Sequence, residues 1–381
     1  MSKPWNPFKT KTWYTDPLPA GIHHYQAPAD DPRNYRMHLR LEEDGTGLLI
    51  LNAATILHLN QTAAEYAYHM VYNVDPDTVA RVVSSRYHVS PKQARQDYLD
   101  ISDRILTLIE TPDLDPVSFL DIERQAPLQK RITAPYRLDC ALTYKLPQTE
   151  EADSAPVECV KQELFTIDWI AILDNAWQHG IPHIVFTGGE ATLREDLVEL
   201  VQHTEQNGQV SGLLTDGLLL AGDSLLRSLL QAGLDHLLIV LQPDLEESWQ
   251  AVALALVEDI FLAVHLTLTP ENASQAPVIL KRLSEMGVYA VSLSATQPSL
   301  AESLANARNQ VAYLGMELVW NLPVPYSDLN PVSLENKEVI QEGAGRAWLY
   351  VEPDGDVLPS QGEPRVLGNL LQDEWGKIWK A

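Results

Sequence analysis

The chain has 381 residues, of which 45% are hydrophobic and 21% are charged. These values are typical of a globular protein with enough apolar residues for a full core, and they exclude wholesale disorder. Acidic residues outnumber basic ones by 52 to 27, so the net charge is −25, and such a surface repels nucleic acid. No apolar run is long enough for a membrane span, and the first residues lack the apolar stretch of a secretory signal. We therefore expect a cytoplasmic protein without nucleic-acid or membrane partners.

The cysteines are few and the charge is unevenly distributed. Cys140 and Cys159 are the only two cysteines, too few for a four-ligand zinc site or for the three thiolates that hold an iron–sulfur cluster with one open iron. Residues 131–381 carry 14 basic and 35 acidic side chains, a net charge of −21, whereas residues 1–130 carry 13 and 17, a net charge of −4. The acidity of the C-terminal part favours a basic partner there.

The first 130 residues divide into three parts. Residues 1–35 are rich in proline, aspartate and aromatic residues without a sustained period, which predicts an irregular arm. Residues 36–110 contain short extended segments around a turn at 44–47, followed by three amphipathic helices predicted at 62–72, 76–87 and 91–109. This pattern predicts a compact unit of a small sheet and three helices. A linker rich in proline and aspartate follows at 111–130.

From residue 131 short apolar strands alternate with amphipathic helices. Seven strands are predicted, and they recur every 25 to 30 residues, at 138–144, 183–187, 210–214, 236–241, 262–269, 288–294 and 317–322. Buried strands that alternate with crossover helices indicate a parallel α/β sheet. Because no glycine-rich dinucleotide fingerprint follows the first strand, the pattern favours a full or partial TIM-type (β/α) barrel. The reactive edge of such a fold lies at the carboxyl ends of its strands.

One strand end carries a specific motif, Thr187-Gly188-Gly189-Glu190. Two glycines at a strand end let a ligand approach the backbone closely, and the adjacent carboxylate can accept hydrogen bonds from an ammonium group. This motif resembles the Gly-Gly-Glu motif of radical S-adenosylmethionine (radical SAM) proteins, which binds the amino group of the cofactor. Thr215-Asp216-Gly217, after the next strand, is similar to the family's following motif. A tight strand-to-helix turn with Glu190 as an acid at the helix start explains the same residues without a ligand.

Segments on both sides of the barrel extend the resemblance. The run Ala347–Ser360 resembles the opening of a SPASM-type extension, and Leu367–Leu370 with Trp375 resembles its close. The step Leu59–Ala63 resembles part of a PqqD-like peptide-recognition domain, a winged-helix-like α+β fold that would cover residues 36–110. The resemblance therefore implies a radical-SAM-like barrel over 131–325 and a SPASM-like extension over 326–381.

The resemblance also implies a cofactor site for S-adenosylmethionine at the strand ends. The residues assigned to it are Gly188, Gly189, Glu190, Thr215, Asp216, Gln242, Thr267, Asn272 and Ser292. The histidines of the barrel region lack the spacing of a metal site and are interpreted as ordinary core or surface residues. No catalytic residue and no metal ligand is assigned.

The cysteines depart from the family pattern. Radical SAM proteins carry Cys-x3-Cys-x2-Cys in the loop after the first barrel strand, where three thiolates hold a [4Fe–4S] cluster. In this chain the loop has only Cys159, and Ser360 stands where the extension would begin to place cysteines for an auxiliary cluster. One thiolate can be replaced by an oxygen ligand, but not most of them in two separate sites. A [4Fe–4S] cluster is therefore not expected.

Three hypotheses for the function follow from the resemblance. In the first, the chain is a pseudoenzyme of peptide or cofactor maturation that binds a substrate or leader peptide at an open sheet edge and acts beside a partner such as an active maturase. In the second, it is an active radical SAM peptide maturase whose cluster has unusual or partner-supplied ligands. In the third, it is an enzyme that binds S-adenosylmethionine without a cluster.

Overall fold

The computed structural model describes residues 15–28, 30–111, 114, 119–120, 132–147, 160, 162–222, 224–319 and 343–379. The chain forms two compact units. Unit 1 comprises Met1–Thr133 with Gln178–Pro182, and unit 2 comprises Ala134–Trp177 with His183–Ala381. Across these described ranges, no helix has the length and apolar character needed to cross a membrane.

Unit 1 contains an antiparallel sheet of four strands in the order β1-β2-β3-β4. The strands are β1 (Gly21–Gln26), β2 (Arg36–Leu41), β3 (Gly47–Leu51) and β4 (Thr55–Leu59). The prediction of an irregular arm over 1–35 is wrong for β1, which pairs with β2 along its whole length. The sequence did not predict this strand because His23 and His24 are polar residue types. In the structure both histidines are partly buried.

Three helices complete unit 1, namely α1 (Gln61–Val71), α2 (Pro76–Tyr87) and α3 (Pro91–Glu110). The side chains of Asn60, Asp75 and Ser90 each accept a hydrogen bond from the backbone N–H three residues later, which caps the three helix starts. Pro76 and Pro91 stand at the first helical position, where no backbone donor is needed. The predicted arrangement of a small sheet followed by three helices is therefore confirmed.

Unit 2 contains one sheet of ten strands, and its strand order is β11-β10-β9-β8-β7-β6-β5-β12-β13-β14. The strands are β5 (Arg137–Thr143), β6 (His183–Gly188), β7 (Val210–Thr215), β8 (His236–Val240), β9 (Phe261–Leu268), β10 (Ala290–Ala295), β11 (Glu317–Leu318), β12 (Trp348–Val351), β13 (Asp356–Leu358) and β14 (Gly368–Asn369). The strands from β11 to β12 are parallel, and the last two are antiparallel. The predicted parallel α/β sheet is confirmed, and no pair of described residues joins its two edge strands into a closed barrel.

Helices connect the parallel strands of unit 2. They are α4 (Thr166–Gln178), α5 (Leu197–Asn207), α6 (Ser224–Gln231), α7 (Glu246–Ala255), α8 (Ala276–Met286) and α9 (Ala301–Tyr313), and a short helix α10 (Trp375–Ile378) follows the last strand. The sequence predicted a separate extension from residue 326, but β12 pairs in parallel with β5 and so belongs to the main sheet. Residues 320–342, including Asn321 at the end of a predicted strand, lie outside the described residues.

The two faces of this sheet differ in chemistry. Because successive strands from β5 to β11 are neighbours, right-handed crossovers place their helices on one side. Strand side chains alternate between the faces, and the face opposite the helices carries an Arg137–Asp139 ion pair at 2.7 Å. The same face carries His183 and His236, whose Nε2 atoms are 3.0 Å apart, and His265. The residues Leu214, Leu238, Ala263 and Ala290 form a hydrophobic cluster on the same face. We call it the histidine face.

Candidate functional site

Glu190 lies at the centre of a hydrogen-bond network at the carboxyl end of β6. Its side chain is only 2% exposed. One carboxylate oxygen accepts hydrogen bonds from the Thr192 N–H (2.9 Å), the Thr192 hydroxyl (2.5 Å) and the Thr215 hydroxyl (2.7 Å). The other accepts from the Asp216 N–H at 2.7 Å. These donors stabilise the buried charge and join the end of β6 to the end of β7.

The glycine pair before Glu190 allows the end of β6 to approach the end of β5. Gly188 has φ +130°, and a Cβ atom there would lie 2.1 Å from the Thr143 carbonyl oxygen. A Cβ atom on Gly189 would lie 2.3 Å from the carbonyl oxygen of Lys145. The N–H groups of Gly189 and Glu190 donate to these same two carbonyls, at 2.7 and 2.8 Å. The chain itself thus fills the space beside the glycines, and its own N–H and hydroxyl groups already donate to the Glu190 carboxylate. A cofactor amine must therefore replace internal hydrogen bonds to bind there.

Asp216 and Gln242 extend this network to the next strand. The Ser248 hydroxyl donates to the Asp216 carbonyl at 3.0 Å and accepts from the Gln242 N–H at 3.1 Å. One oxygen of the Asp216 carboxylate accepts from the Leu218 N–H at 2.8 Å. The structure therefore brings together six of the nine predicted residues: Gly188, Gly189, Glu190, Thr215, Asp216 and Gln242.

Of the other three predicted residues, Thr267 on β9 and Ser292 on β10 contact His265, and Asn272 lies in the turn after β9. His265 is 1% exposed, and its Nδ1 atom is 2.9 Å from the Ser292 hydroxyl. Its Nε2 atom is 2.8 Å from the Ser294 hydroxyl and 3.1 Å from that of Thr267. Asn272 closes the turn after β9 by donating to the Thr267 carbonyl at 3.0 Å. Burial lowers the pKa of His265 to about 3, so the ring is neutral at physiological pH.

The sequence analysis interpreted His265 as an ordinary core or surface residue, and the structure places it in the core. Its three hydroxyl partners were not identified from the sequence. The interpretation as an ordinary core histidine rested on the absence of a second histidine at metal-binding spacing. The available signal was the step of two residues from His265 to Thr267, which places both side chains on the same face of a strand. The hydroxyls of Ser292 and Ser294 reach the ring because β10 pairs with β9 in this register.

One of the two cysteines, Cys140, lies among the residues that the structure describes. Cys140 is fully buried within β5, and burial raises the pKa of its thiol well above the usual value. Cys159 lies outside the described residues. Near the ends of the loop after β5, Glu163 accepts hydrogen bonds from the Thr143 hydroxyl (2.5 Å) and the Tyr144 N–H (3.2 Å). A carboxylate thus connects the two ends of the loop.

Arg194 positions the elements around the Gly-Gly-Glu turn, although nothing in its sequence context identified it. One guanidinium nitrogen donates to the carbonyls of Leu142 and Leu164, both at 3.1 Å. The other two nitrogens bind the Asp196 carboxylate at 2.8 and 2.6 Å, and the Thr166 hydroxyl donates to the same carboxylate at 2.7 Å. The arginine therefore fixes the end of β5 and the start of α4 relative to the loop after β6.

Comparisons with known proteins agree with this architecture. No family model matches the chain. The chain is 27% identical to the PqqA peptide cyclase of Gluconobacter oxydans over 281 residues, which cover 64% of this chain and 76% of that protein. It is also 27% identical to the PqqA peptide cyclase of Streptomyces rochei over 288 residues, covering 66% and 77%.

Solved structures with a similar fold include SuiB of Streptococcus suis. The crystal structure of SuiB bound to S-adenosylmethionine has a TM-score of 0.54 at 14% identity and covers 91% of this chain and 87% of SuiB. The structure bound to the precursor peptide SuiA has a TM-score of 0.54 at 13% identity and covers 94% and 88%. The fold of the chain is therefore that of SuiB, and its relatives are PqqA peptide cyclases. Both findings support the resemblance to radical SAM proteins, while the assignment of individual cofactor residues stays a prediction.

Proposed function

We propose that this chain is a peptide-binding component of peptide maturation, built on the scaffold of PqqA peptide cyclases, and that it does not hold a [4Fe–4S] cluster of its own. The number and position of the cysteines support the absence of a cluster. Residues 145–165 contain one cysteine, Cys159, and the other cysteine of the chain is buried within β5. Such a cluster with an open iron requires three thiolates, so the chain lacks two of them.

The peptide-binding role is supported by the relatives and by unit 1. The relatives are named for the PqqA peptide, and SuiB, which shares the fold, has been crystallised with its precursor peptide. Among the described residues, no further strand pairs with the outer edges of β1 and β4. An extended peptide can bind such an edge through main-chain hydrogen bonds, as the proposed PqqD-like role requires.

The absence of a cluster is tested by measuring iron. The full chain and a Cys159→Ser variant are incubated anaerobically with iron and sulfide, desalted, and analysed for iron and for the absorbance of sulfur-to-iron charge transfer. We expect far fewer than about four irons per chain and no difference between the two proteins, because one loop thiolate cannot hold the cluster. About four irons per wild-type chain, lost in Cys159→Ser, would contradict the proposal.

The peptide-binding role is tested with a fluorescently labelled PqqA peptide. Saturable binding should appear in anisotropy, and hydrogen exchange should slow at the edge strand β1 or β4 while the central strands β2 and β3 change little. Absence of saturable binding, or protection confined to unit 2, would remove the proposed role of unit 1.

An active maturase is the second candidate, and the names of the relatives favour it because they are cyclases. The same iron measurement distinguishes this candidate from the proposed function, since a cluster completed by a partner would appear only after that partner is added.

A cluster-independent enzyme that binds S-adenosylmethionine is the third candidate. Calorimetric titration with S-adenosylmethionine would support it if heat is lost in Gln242→Ala and kept in Gln250→Ala, an exposed residue of α7.

A further inference from the structure

Glu352 has a carboxylate oxygen whose environment the fold does not explain. The residue directly follows β12, at the carboxyl end of the strand that pairs with β5. The residue is 9% exposed. Its Oε2 atom is buried, and no group in the described parts of the chain donates a hydrogen bond to it. A buried oxygen of this kind is costly, so native proteins normally supply it with a donor.

Tyr144 contacts the Glu352 side chain. Its hydroxyl donates a hydrogen bond to the Glu352 carboxylate. The Tyr144 hydroxyl also lies 3.3 Å from that of Tyr350, and both tyrosines are buried. Tyr144 therefore orients the carboxylate, while Oε2 has no donor among the described residues.

The electrostatic surroundings of Glu352 favour a cation. Burial raises the pKa of its carboxyl group, and the negative charges of Asp354 and Asp356 raise it further. None of the ion pairs found among the described residues includes Glu352. A charged donor such as an ammonium or guanidinium group forms the strongest hydrogen bond to a carboxylate. Residues 131–381 add a net charge of −21, which attracts such a group.

We propose that Glu352, oriented by Tyr144, binds a lysine or arginine side chain of the peptide substrate. The inference deepens the proposed peptide-binding function and rests on it. It assigns a substrate class, a peptide segment with a basic side chain, to the strand ends of β5 and β12. Neither residue is among those that the sequence analysis assigned to a site.

The test uses two small probes that differ only in charge. Binding of N-acetyl-lysine-N-methylamide and of N-acetyl-norleucine-N-methylamide to the full chain is measured by ligand-observed nuclear magnetic resonance. We expect the wild-type chain to bind the lysine probe at least about tenfold more tightly, which is the effect of one charge-assisted hydrogen bond. Glu352→Gln should lose this preference, whereas Glu363→Gln, which changes an exposed acid of the same region, should keep it. Circular dichroism confirms that each variant is folded.

A second variant keeps the experiment informative if Glu352→Gln does not fold. Tyr144→Phe removes the hydrogen bond that orients the carboxylate but leaves its charge, so it should bind the lysine probe more weakly than the wild type. Equal binding of both probes by the wild type, a preference that survives Glu352→Gln, or lysine binding by Tyr144→Phe as tight as that of the wild type would overturn the inference. If the labelled PqqA peptide binds but the probes show no preference, only the inference fails. If the lysine probe is preferred and the peptide does not bind, the proposed peptide function fails, and only the cation site at Glu352 remains.

Discussion

His265 makes hydrogen bonds through both ring nitrogens without carrying a charge. Its pKa is lowered from 6.5 to about 3 because the ring is buried, and three hydroxyl groups contact its two nitrogens. Hydroxyls can act as donors or acceptors, so they match either tautomer of a neutral ring. The cluster is therefore a fixed, uncharged polar group that is buried on the histidine face of the sheet.

The stability of unit 2 should fall in acid because of this histidine. The unfolded chain takes up the proton near pH 6.5 and the folded chain only near pH 3, so the stabilisation is complete above pH 6.5 and is lost as the pH falls towards 3. The loss is up to about 4 kcal/mol. Urea unfolding followed by tryptophan fluorescence at several pH values should show a shallower acid dependence in His265→Gln than in the wild type. The control variant His203→Gln, which replaces a side chain that is 23% exposed, should keep the wild-type dependence. Equal slopes would show that His265 does not carry the effect.

Asp97 of α3 should lower the stability of the chain as the pH rises, whereas His265 lowers it as the pH falls. Burial raises its pKa to about 6, although Gln93 donates a hydrogen bond that opposes the rise. The wild-type chain therefore loses stability as the pH rises from about 4 through about 6, because the folded state must then hold a buried charge. At pH 7.5, Asp97→Asn should raise the free energy of unfolding by about 2 kcal/mol, with little change below pH 4. Asp100→Asn, on an exposed part of the same helix, should have no such pH-dependent effect in the same urea titrations.

For single residues, the sequence identified members of the candidate site better than it identified their hydrogen-bond partners. The Gly-Gly-Glu motif pointed to Glu190, but the donors from Thr192 and Asp216 depend on how the loops after β6 and β7 meet. The same limit applies to His265, because its partners Ser292 and Ser294 belong to another strand and contact it only through the register. Short motifs predict where chemistry can occur, whereas hydrogen-bond partners depend on pairing across the sheet.

At the scale of elements, the end of β6 depends on the close approach between two backbone segments. Replacement of Gly189 by alanine would place a Cβ atom 2.3 Å from the Lys145 carbonyl oxygen, so the strand end must shift. We expect the unfolding free energy to fall by about 2 kcal/mol or more. Gly222→Ala is the matched control, because its Cβ atom would meet nothing within 4 Å. Equal melting temperatures of the two variants would show that the turn is not constrained in this way.

Helices were predicted more accurately than strands. The predicted spans 76–87 and 91–109 agree with α2 and α3 because a capping side chain and a proline mark each start. The strand β1 was missed because its histidines conceal the hydrophobic alternation, and β12 was assigned to a separate extension. Pairing of β12 with β5 depends on contacts between residues some 200 positions apart, which local patterns do not contain.

For the whole molecule, the charge distribution predicts how association responds to salt. Residues 131–381 carry a net charge of −21, so a basic peptide should be attracted through screened electrostatic forces. Binding of a labelled lysine-rich peptide to the full chain should weaken several-fold between low and physiological salt concentration. An acidic peptide of the same length is the control and should bind more weakly throughout. Affinity of the basic peptide that does not change with salt would contradict this expectation.

The fold class could be predicted from the sequence because apolar strands and amphipathic helices alternate many times along the chain. Alternating strands and helices predicted the parallel sheet, and the comparison with SuiB supports the same fold. Whether the sheet closes depends on its two edges, about which the local pattern carries no information. The cysteine count is visible in the sequence at once, whereas the Glu163 carboxylate that connects the two ends of the loop after β5 appears only in three dimensions.

The pairing of β12 with β5 also has a consequence for the order of folding during synthesis. β5 is made first among the parallel strands, yet one of its two edges is paired only after the chain has grown to Val351. Until then the growing chain presents an unpaired edge of a buried, apolar strand, which is a template for association between chains. A ribosome-bound intermediate that ends before β12 therefore needs protection, by a chaperone or by rapid elongation, during the synthesis of the intervening 200 or so residues.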